Sequence, residues 1–205
     1  MNYCSEKLNE LRKKISERIS EKRFSHILGV ERCAIFLGNL LLPDNIAELS
    51  AAALLHDITK ELPYEKQIEL LKEVNFDFTE EDITTVGVLH SFTAPAVIKR
   101  DFPDFATENI LSAVLNHTVG RADMSVFEKI IFISDYCEDT RKYDSCKNVR
   151  AALMDGIEML SYEDRLKRLD KACLLSIDGA LDALKRCNLP INSRMYLTRN
   201  SLIKK

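Results

Sequence analysis

The feature that most constrains the fold is a scarcity of turn-forming residues: six glycines and five prolines in 205 residues. The segments between them place apolar residues three and four positions apart, as in Leu8, Leu11 and Ile15. This spacing is the period of an amphipathic helix, whereas half-buried strands alternate apolar and polar residues. The sequence therefore predicts an all-α fold, a helical bundle with an added N-terminal amphipathic helix.

The composition is that of a globular protein. Apolar residues make up 46% of the chain and charged residues 30%. By composition the chain is therefore neither an intrinsically disordered protein nor a membrane protein. The apolar runs are much shorter than the roughly 18 residues of a membrane span, and no secretory leader is recognisable. We expect one cytoplasmic domain over 1–205, with an N-terminal helix (1–20), a core (21–190) and a polar tail (191–205).

The net charge restricts the classes of partner that the chain can bind, and the cysteine spacing indicates its redox compartment. The net charge of −3 gives no basic field for nucleic-acid phosphates, so any phosphate must bind at a local site. The six cysteines form no C-x-x-C pair, which favours free thiols in a reducing compartment. The predicted partner is a nucleotide and neither nucleic acid nor a membrane, while a homodimer is left open.

Capping signals predict where the first helices begin and end. The first helix spans 5–20. Ser25 is the predicted cap of the second, which runs to about Leu41 and places His26 in its first turn. Asn45 is the predicted cap of the third, which ends at the His56-Asp57 pair.

The later helices show three capping boxes, at 79–82, 125–128 and 161–164. The first should open a helix that carries His90 and is interrupted at Pro95. His117 should end the next helix, and Asp135 should lie in the last turn of the one begun by Ser125. Two further helices are expected over about 147–160 and 162–187.

The four histidines carry the functional signal. His26, His56, His90 and His117 fall about 30 residues apart, each near a predicted helix terminus. If the helices fold back on one another, all four can meet in one pocket with Asp57. Imidazole and carboxylate ligands suit Fe, Mn, Co, Ni or Zn, and no cysteine sits beside these histidines as a structural zinc site would require.

Taken singly, these residues have ordinary explanations. A lone histidine near a helix end is more often a surface or capping residue than a ligand. Lys60 and Arg141 by themselves fit solvated charges, Tyr136 fits core packing, and Glu128 fits the acid of its capping box. The ordered set is what favours a metal centre, with Thr59 and Lys60 placed to hold a phosphate.

With this ordered set of histidines and aspartates, the sequence resembles the HD-domain metal-dependent phosphohydrolases, in particular their YqeK-type branch of symmetrical bis(5'-nucleosyl)-tetraphosphatases. The resemblance covers about residues 20–190. Its motifs are RFSHILGV (23–30), LLHDITK (54–60), VLH (88–90), NHTVG (116–120) and ISDYCEDTR (133–141). Two departures are visible, because the family commonly has Ala at Ser134 and Glu-Pro at Glu138-Asp139, and they bear on fine substrate preference.

The resemblance implies a role for each residue. The core metal would be iron, as one or two ions, with manganese, cobalt or zinc as alternatives. Its implied ligands are His26, His56, Asp57 and Asp135. The implied catalytic residues are Asp57, Lys60, His90 and His117, the two histidines binding either a second metal or the phosphates. The implied substrate-binding residues are Arg23, Asp57, Thr59, Lys60, His90, His117, Tyr136 and Arg141.

The resemblance also implies the reaction, the symmetrical cleavage of diadenosine tetraphosphate to two ADP. Hydrolysis of a nucleoside 5'-monophosphate or a cyclic nucleotide is an alternative, because the same groups would bind any phosphate. A second alternative is a nucleotide-sensing protein that does no chemistry.

Overall fold

The computed structural model describes residues 5–74 and 77–204. These residues contain helices and turns and no strand, so the predicted all-α fold is confirmed. The α-helices are α1 (Ser5–Ser16), α2 (Glu21–Leu41), α3 (Ile46–Leu55), α4 (Tyr64–Leu71), α5 (Glu80–Thr84), α6 (Leu89–Asp101), α7 (Glu108–Asn116), α8 (Val126–Cys137), α9 (Asp144–Met154), α10 (Tyr162–Arg186) and α11 (Arg194–Ile203). Short 3-10 helices span Pro43–Asn45, Val86–Val88, Pro103–Phe105 and Ile157–Met159.

The packing around α2 positions the candidate site. α2 packs against α1, α3, α8 and α10, and α7 packs against α3, α6 and α8. By length and composition α2 alone among the described helices could cross a membrane, which is weak evidence because the buried core helix of a soluble protein meets the same criteria. Residues on and just after α2, α3, α6, α7 and α8 are thereby brought to one place.

The predicted N-terminal amphipathic helix is present, although it ends at Ser16 rather than Ser20. Its buried side chains are Leu8, Leu11 and Ile15. An ion pair from Arg12 to the buried Glu31 of α2 ties it to the core, with Nη2 and Oε1 2.5 Å apart. α1 therefore belongs to the packed core.

The start of α2 corrects one prediction. The helix begins at Glu21, and its cap is Ser20, whose hydroxyl accepts a hydrogen bond from Arg23 N. Ser25 therefore does not cap it, and His26 lies in the second turn. The physical reason is a distant contact: the Ser20 N–H and hydroxyl both donate to Glu61, which fixes Ser20 as the entry to the helix.

Asn45 occupies the N-cap position of α3, but its side chain forms no cap. Its amide donates instead to Glu48 Oε2 at 3.0 Å.

The middle of the chain departs further from prediction. The helix opened by the Thr79–Asp82 capping box ends at Thr84, so His90 lies instead near the start of a separate helix, α6. Pro95 lies inside α6 and does not interrupt it. The surrounding residues of α6, such as Ala94 and Ile98, are buried, so packing outweighs the roughly 3 kcal/mol that an internal proline costs.

Two predictions near the C-terminus are corrected as well. The helix expected over 147–160 is broken at Gly156, which adopts the left-handed conformation with φ 68°. The expected polar tail over 191–205 contains a helix, α11, which packs against α10. Its N-terminus is held by Asp82, which accepts hydrogen bonds from Asn192 and Arg194 at 2.7 to 2.9 Å.

The capping boxes at Thr79 and Ser125 are confirmed. Ser161 caps α10 by accepting from Asp164 N, but its hydroxyl, and not its main-chain N–H, bonds the Asp164 carboxylate.

Candidate metal centre and phosphate site

All four histidines and both aspartates converge in the structure. His56 follows the last residue of α3 and His117 follows the last residue of α7, as predicted from the ends of their apolar runs. Asp135 lies in the last turn of α8. Because α2, α3, α7 and α8 pack together, His26 also faces this group, which forms one cluster.

One side of the cluster surrounds Asp57 and Asp135. His26 Nε2 lies 2.9 Å from Asp135 Oδ1 and 3.6 Å from Asp57 Oδ2. His56 Nε2 lies 3.4 Å from Asp57 Oδ2 and 3.8 Å from Asp135 Oδ1. One donor atom from each of His26, His56 and Asp57 therefore falls within 4.8 Å of the others, as a shared cation would require.

The other oxygen of Asp57 faces the remaining histidines. Asp57 Oδ1 lies 3.2 Å from His90 Nε2 and 3.8 Å from His117 Nε2. The two Nε2 atoms are themselves 3.1 Å apart. Asp57 thus stands between the His26–His56 side and the His90–His117 side of the cluster.

The outer nitrogens fix the orientation of three rings. Nδ1 of His56 donates to Ala53 O at 2.7 Å, and Nδ1 of His117 donates to Val114 O at the same distance. Nδ1 of His26 lies 3.1 Å from Oε1 of Glu138. An imidazole whose Nδ1 carries the proton can present a lone pair on Nε2, so the three Nε2 atoms are the positions at which a ligand inside the cluster would bind. Burial lowers the pKa of His26, but its hydrogen bonds to Asp135 and Glu138 outweigh burial and raise the pKa to about 9, so a cation at His26 Nε2 would displace a proton.

The cluster fits a divalent cation. Nε2 of His26 and Nε2 of His56 are buried and make no hydrogen bond of acceptable geometry within the described residues, although carboxylate oxygens lie close to both. Such unpaired buried nitrogens are costly unless a ligand uses them. Imidazole and carboxylate donors without a thiolate suit a catalytic transition metal better than structural zinc.

The electrostatics agree with this assignment. Burial alone would raise the pKa of Asp57 and of Asp135, but their histidine neighbours, with Arg141 beside Asp135, hold both values well below the usual range. Burial and the neighbouring His56 lower the pKa of His117 to about 4. At neutral pH the cluster therefore presents two carboxylates and a neutral imidazole to a cation.

Three basic side chains border the cluster. Arg23 Nη1 donates to Asp57 Oδ2 at 2.8 Å, and Arg141 Nη2 donates to Asp135 Oδ1 at 2.7 Å. Lys60 Nζ lies 3.1 Å from His90 Nδ1 and 3.3 Å from Gly87 O. Burial lowers the pKa of Lys60, partly offset by the charges of Asp57 and Asp135. These are the groups that a phosphate beside the cluster would meet.

Two residues predicted to touch substrate are placed differently. Thr59 is fully buried, and its hydroxyl donates to His90 O at 2.8 Å, so it positions the His90 backbone. Tyr136 is half-buried and directs its hydroxyl towards α10, where a Cβ on Gly179 would overlap it. The described contacts bring neither side chain onto the metal-facing atoms.

An apolar cavity of about 590 Å³ lies beside the cluster. Gly87 and Thr118 line it, and they also contact the site: Gly87 O faces Lys60 Nζ, and Thr118 Oγ1 lies 3.3 Å from His90 Nε2. Val88, Ala183 and Leu184 supply part of its apolar wall. A cavity of this size is in the range that holds a nucleoside-sized group.

Sequence reasoning missed Glu138 and Thr118 as site residues. Glu138 could have been noticed because it follows Asp135 by three positions, although nothing local indicates that it reaches His26 in α2. Thr118 follows His117 directly, and its exposure to the cavity depends on where the 84–88 segment and α10, which line the same cavity, are placed by the fold.

Comparison with known proteins agrees with this geometry. The model of the HD domain family matches residues 23–140, more than half of the chain. The chain is 28% identical over 191 residues to a symmetrical bis(5'-nucleosyl)-tetraphosphatase of Halalkalibacterium halodurans, covering 92% of this chain and 93% of that one. It is 30% identical over 136 residues to a protein of the same description from Staphylococcus aureus, covering 65% of this chain and 68% of that one.

A solved structure is similar throughout. It is described as a predicted HD superfamily hydrolase involved in NAD metabolism, from Clostridium acetobutylicum. The TM-score is 0.81 and the sequences are 29% identical, with 96% of each chain covered. The similarity therefore extends beyond the matched domain to α10 and α11.

Proposed function

The chain belongs to the HD domain family and to its branch of symmetrical bis(5'-nucleosyl)-tetraphosphatases, and we propose that it hydrolyses diadenosine tetraphosphate to two ADP in the cytoplasm. The observation that carries the proposal is the convergence of four histidines and two aspartates beside three basic side chains and an apolar cavity. A dinucleoside polyphosphate offers matching parts, a charged polyphosphate and an apolar base.

The proposed core ligands are His26, His56, Asp57 and Asp135, and the proposed metal is iron, with manganese or cobalt as competitors for the same donors. When bound, the ion supplies positive charge beside the phosphoryl oxygens and makes the attacking water more acidic. Asp57 has a further task in this arrangement. Its Oδ1 is directed to His90 and His117, so it connects the metal side to the phosphate side.

His90 is proposed to bind phosphate, not a second metal. Lys60 Nζ lies 3.1 Å from His90 Nδ1 and 3.4 Å from His90 Nε2, which places a positive charge beside this ring. His117 donates from Nδ1 to Val114 O, so its Nε2 is an acceptor, and the His90 Nε2 facing it carries the proton of a neutral His90 ring. That N–H can donate to the lone pair of His117 Nε2 3.1 Å away, or to a phosphoryl oxygen in the substrate complex. When His90 donates to the phosphate, the lone pair of His117 Nε2 can instead accept a hydrogen bond from the attacking water and so orient it.

The basic residues complete the site. Arg23, Lys60 and Arg141 would offset charge on the phosphates during cleavage between the second and third phosphorus atoms. Water adds to one of these phosphorus atoms, and the other leaves with the bridging oxygen. Each half of the substrate is thereby released as ADP.

The proposal is tested with purified protein loaded with iron, manganese or cobalt and incubated with diadenosine tetraphosphate in ¹⁸O-labelled water. We expect ADP as the sole nucleotide product, with one labelled oxygen for every two ADP molecules. AMP together with ATP, or no turnover with any of the three metals, would refute the proposal. Parallel incubations with AMP and cyclic AMP test the other phosphohydrolase activities.

A further inference from the structure

Glu138 lies behind His26, on the side away from the candidate metal ligands. Its carboxylate is buried, at 1% exposure, and Oε1 is 3.1 Å from His26 Nδ1. The other ring nitrogen of His26 is the one directed to Asp57 and Asp135. The His26 ring therefore lies between the Glu138 carboxylate at its Nδ1 and the two aspartates at its Nε2.

Several contacts that do not involve His26 hold Glu138 in place. The Thr140 hydroxyl donates to Oε1 at 2.6 Å, and the Thr140 N–H donates to Oε2 at 2.5 Å. Arg150 donates to the carbonyl oxygens of Cys137, Glu138 and Arg141, which fixes the segment after α8. The carboxylate is consequently in position whether or not His26 uses it.

The opposite helix is shaped to admit this carboxylate. Gly29 lies one turn after His26 in α2, and a Cβ there would overlap Glu138 Oε2. Any larger residue at 29 would displace the carboxylate from His26. The absence of a side chain at this position is thus a second, independent feature that supports the Glu138–His26 contact.

His26 differs in this respect from the other two rings whose Nε2 faces the cluster. Nδ1 of His56 and Nδ1 of His117 donate to main-chain carbonyls, Ala53 O and Val114 O. A carboxylate partner makes an imidazole a stronger electron donor than a neutral carbonyl does, and it fixes the proton on Nδ1.

We propose that Glu138 is a positioning residue for the metal: it holds His26 with the Nε2 lone pair towards the ion and strengthens that bond. The inference rests on the metal-ligand role proposed for His26. Loss of a hydrogen-bonding partner behind a ligating histidine typically weakens metal binding by about 10- to 100-fold. Glu138 would act through His26 and need not touch substrate.

The test measures Co²⁺ affinity by calorimetric titration of the whole chain, together with the Co²⁺ absorption spectrum. We expect Glu138→Gln and Gly29→Ala each to weaken Co²⁺ binding by roughly 10-fold or more and to change the spectrum. The matched controls are Glu128→Gln, which alters another buried carboxylate, and Gly38→Ala, which crowds the same helix against Leu49. The controls should lower thermal stability without changing Co²⁺ affinity.

Wild-type Co²⁺ affinity in both Glu138→Gln and Gly29→Ala would overturn the inference, as would equal weakening by the two controls. A wild-type chain that binds no Co²⁺ would also overturn it. If the wild type binds Co²⁺ with the expected dependence on Glu138 but does not hydrolyse diadenosine tetraphosphate, the proposed function fails and this inference stands.

Discussion

Arg23 Nη1 lies 2.8 Å from Asp57 Oδ2, the oxygen that also faces His26 and His56. A carboxylate oxygen has two lone pairs, so one can accept from the guanidinium while the other faces a cation. The Arg23 guanidinium is therefore held next to the proposed ion position without being a metal ligand. A substrate phosphate bound beside that position would be within reach of the guanidinium.

The Arg23→Ala variant should still bind the metal but should hydrolyse the substrate more slowly. Removing a positive charge beside the cation should leave metal affinity unchanged or slightly higher. Removing a phosphate donor should lower kcat/KM by roughly 10²-fold, as expected for one preorganised donor. Metal titration and steady-state kinetics give the two quantities. Arg32→Ala is the control, since Arg32 lies on the same helix but pairs with the exposed Asp139.

Asp57→Asn should remove both metal and activity. The substitution keeps the size of the side chain but deletes the charge shared by the two sides of the cluster. Metal content after purification from iron-supplemented medium, measured by mass spectrometry, should fall at least about 10-fold, and turnover should fall with it. An Asp57→Asn protein with its full metal content would contradict the ligand assignment.

Lys60→Ala should separate phosphate binding from metal binding. Its ammonium lies by His90 Nδ1 and is not among the grouped metal-ligating atoms, so metal content should be retained. Turnover should fall by roughly 10²-fold, because a charged donor beside the phosphates is lost. Lys66→Ala, which removes an exposed lysine paired with Glu69, is the kinetic control. Loss of metal from Lys60→Ala would show that the lysine supports the ion instead.

Most of the cluster could be predicted because its residues sit where local signals are strong. His56 and His117 follow apolar helical runs, and the Ser125–Glu128 capping box places Asp135 one helix length later. Such ends are set by residues within one or two turns, which the sequence displays directly.

The remainder depends on contacts between distant segments. Ser20 was missed as a cap because its partner, Glu61, lies 41 residues away. Glu138 reaches His26 across 112 residues, and helical periodicity carries no information on such a pairing. The continuation of α6 through Pro95 likewise depends on burial by neighbouring helices, which overrides the local preference.

The attachment of α11 should depend on pH through Asp82. Burial alone would raise the pKa of this carboxyl, but hydrogen bonds from Arg194 and Asn192 outweigh it and lower the pKa to about 2. A carboxyl whose pKa is lowered on folding stabilises the protein above its unfolded value, near 3.8, and this contribution is lost as the pH falls through about 2.

Asp82→Asn should therefore lower the free energy of unfolding by about 2 kcal/mol near pH 6, and the difference from wild type should shrink by more than half at pH 2. Urea unfolding of chelator-treated proteins at several pH values measures it. Asp104→Asn is the control, since that carboxylate is exposed and pairs with an exposed lysine, Lys7, so its effect should be small at each pH. A difference for Asp82→Asn that stayed constant from pH 6 to pH 2 would show that the side chain acts by packing alone, because only a loss of its charge makes the difference depend on pH.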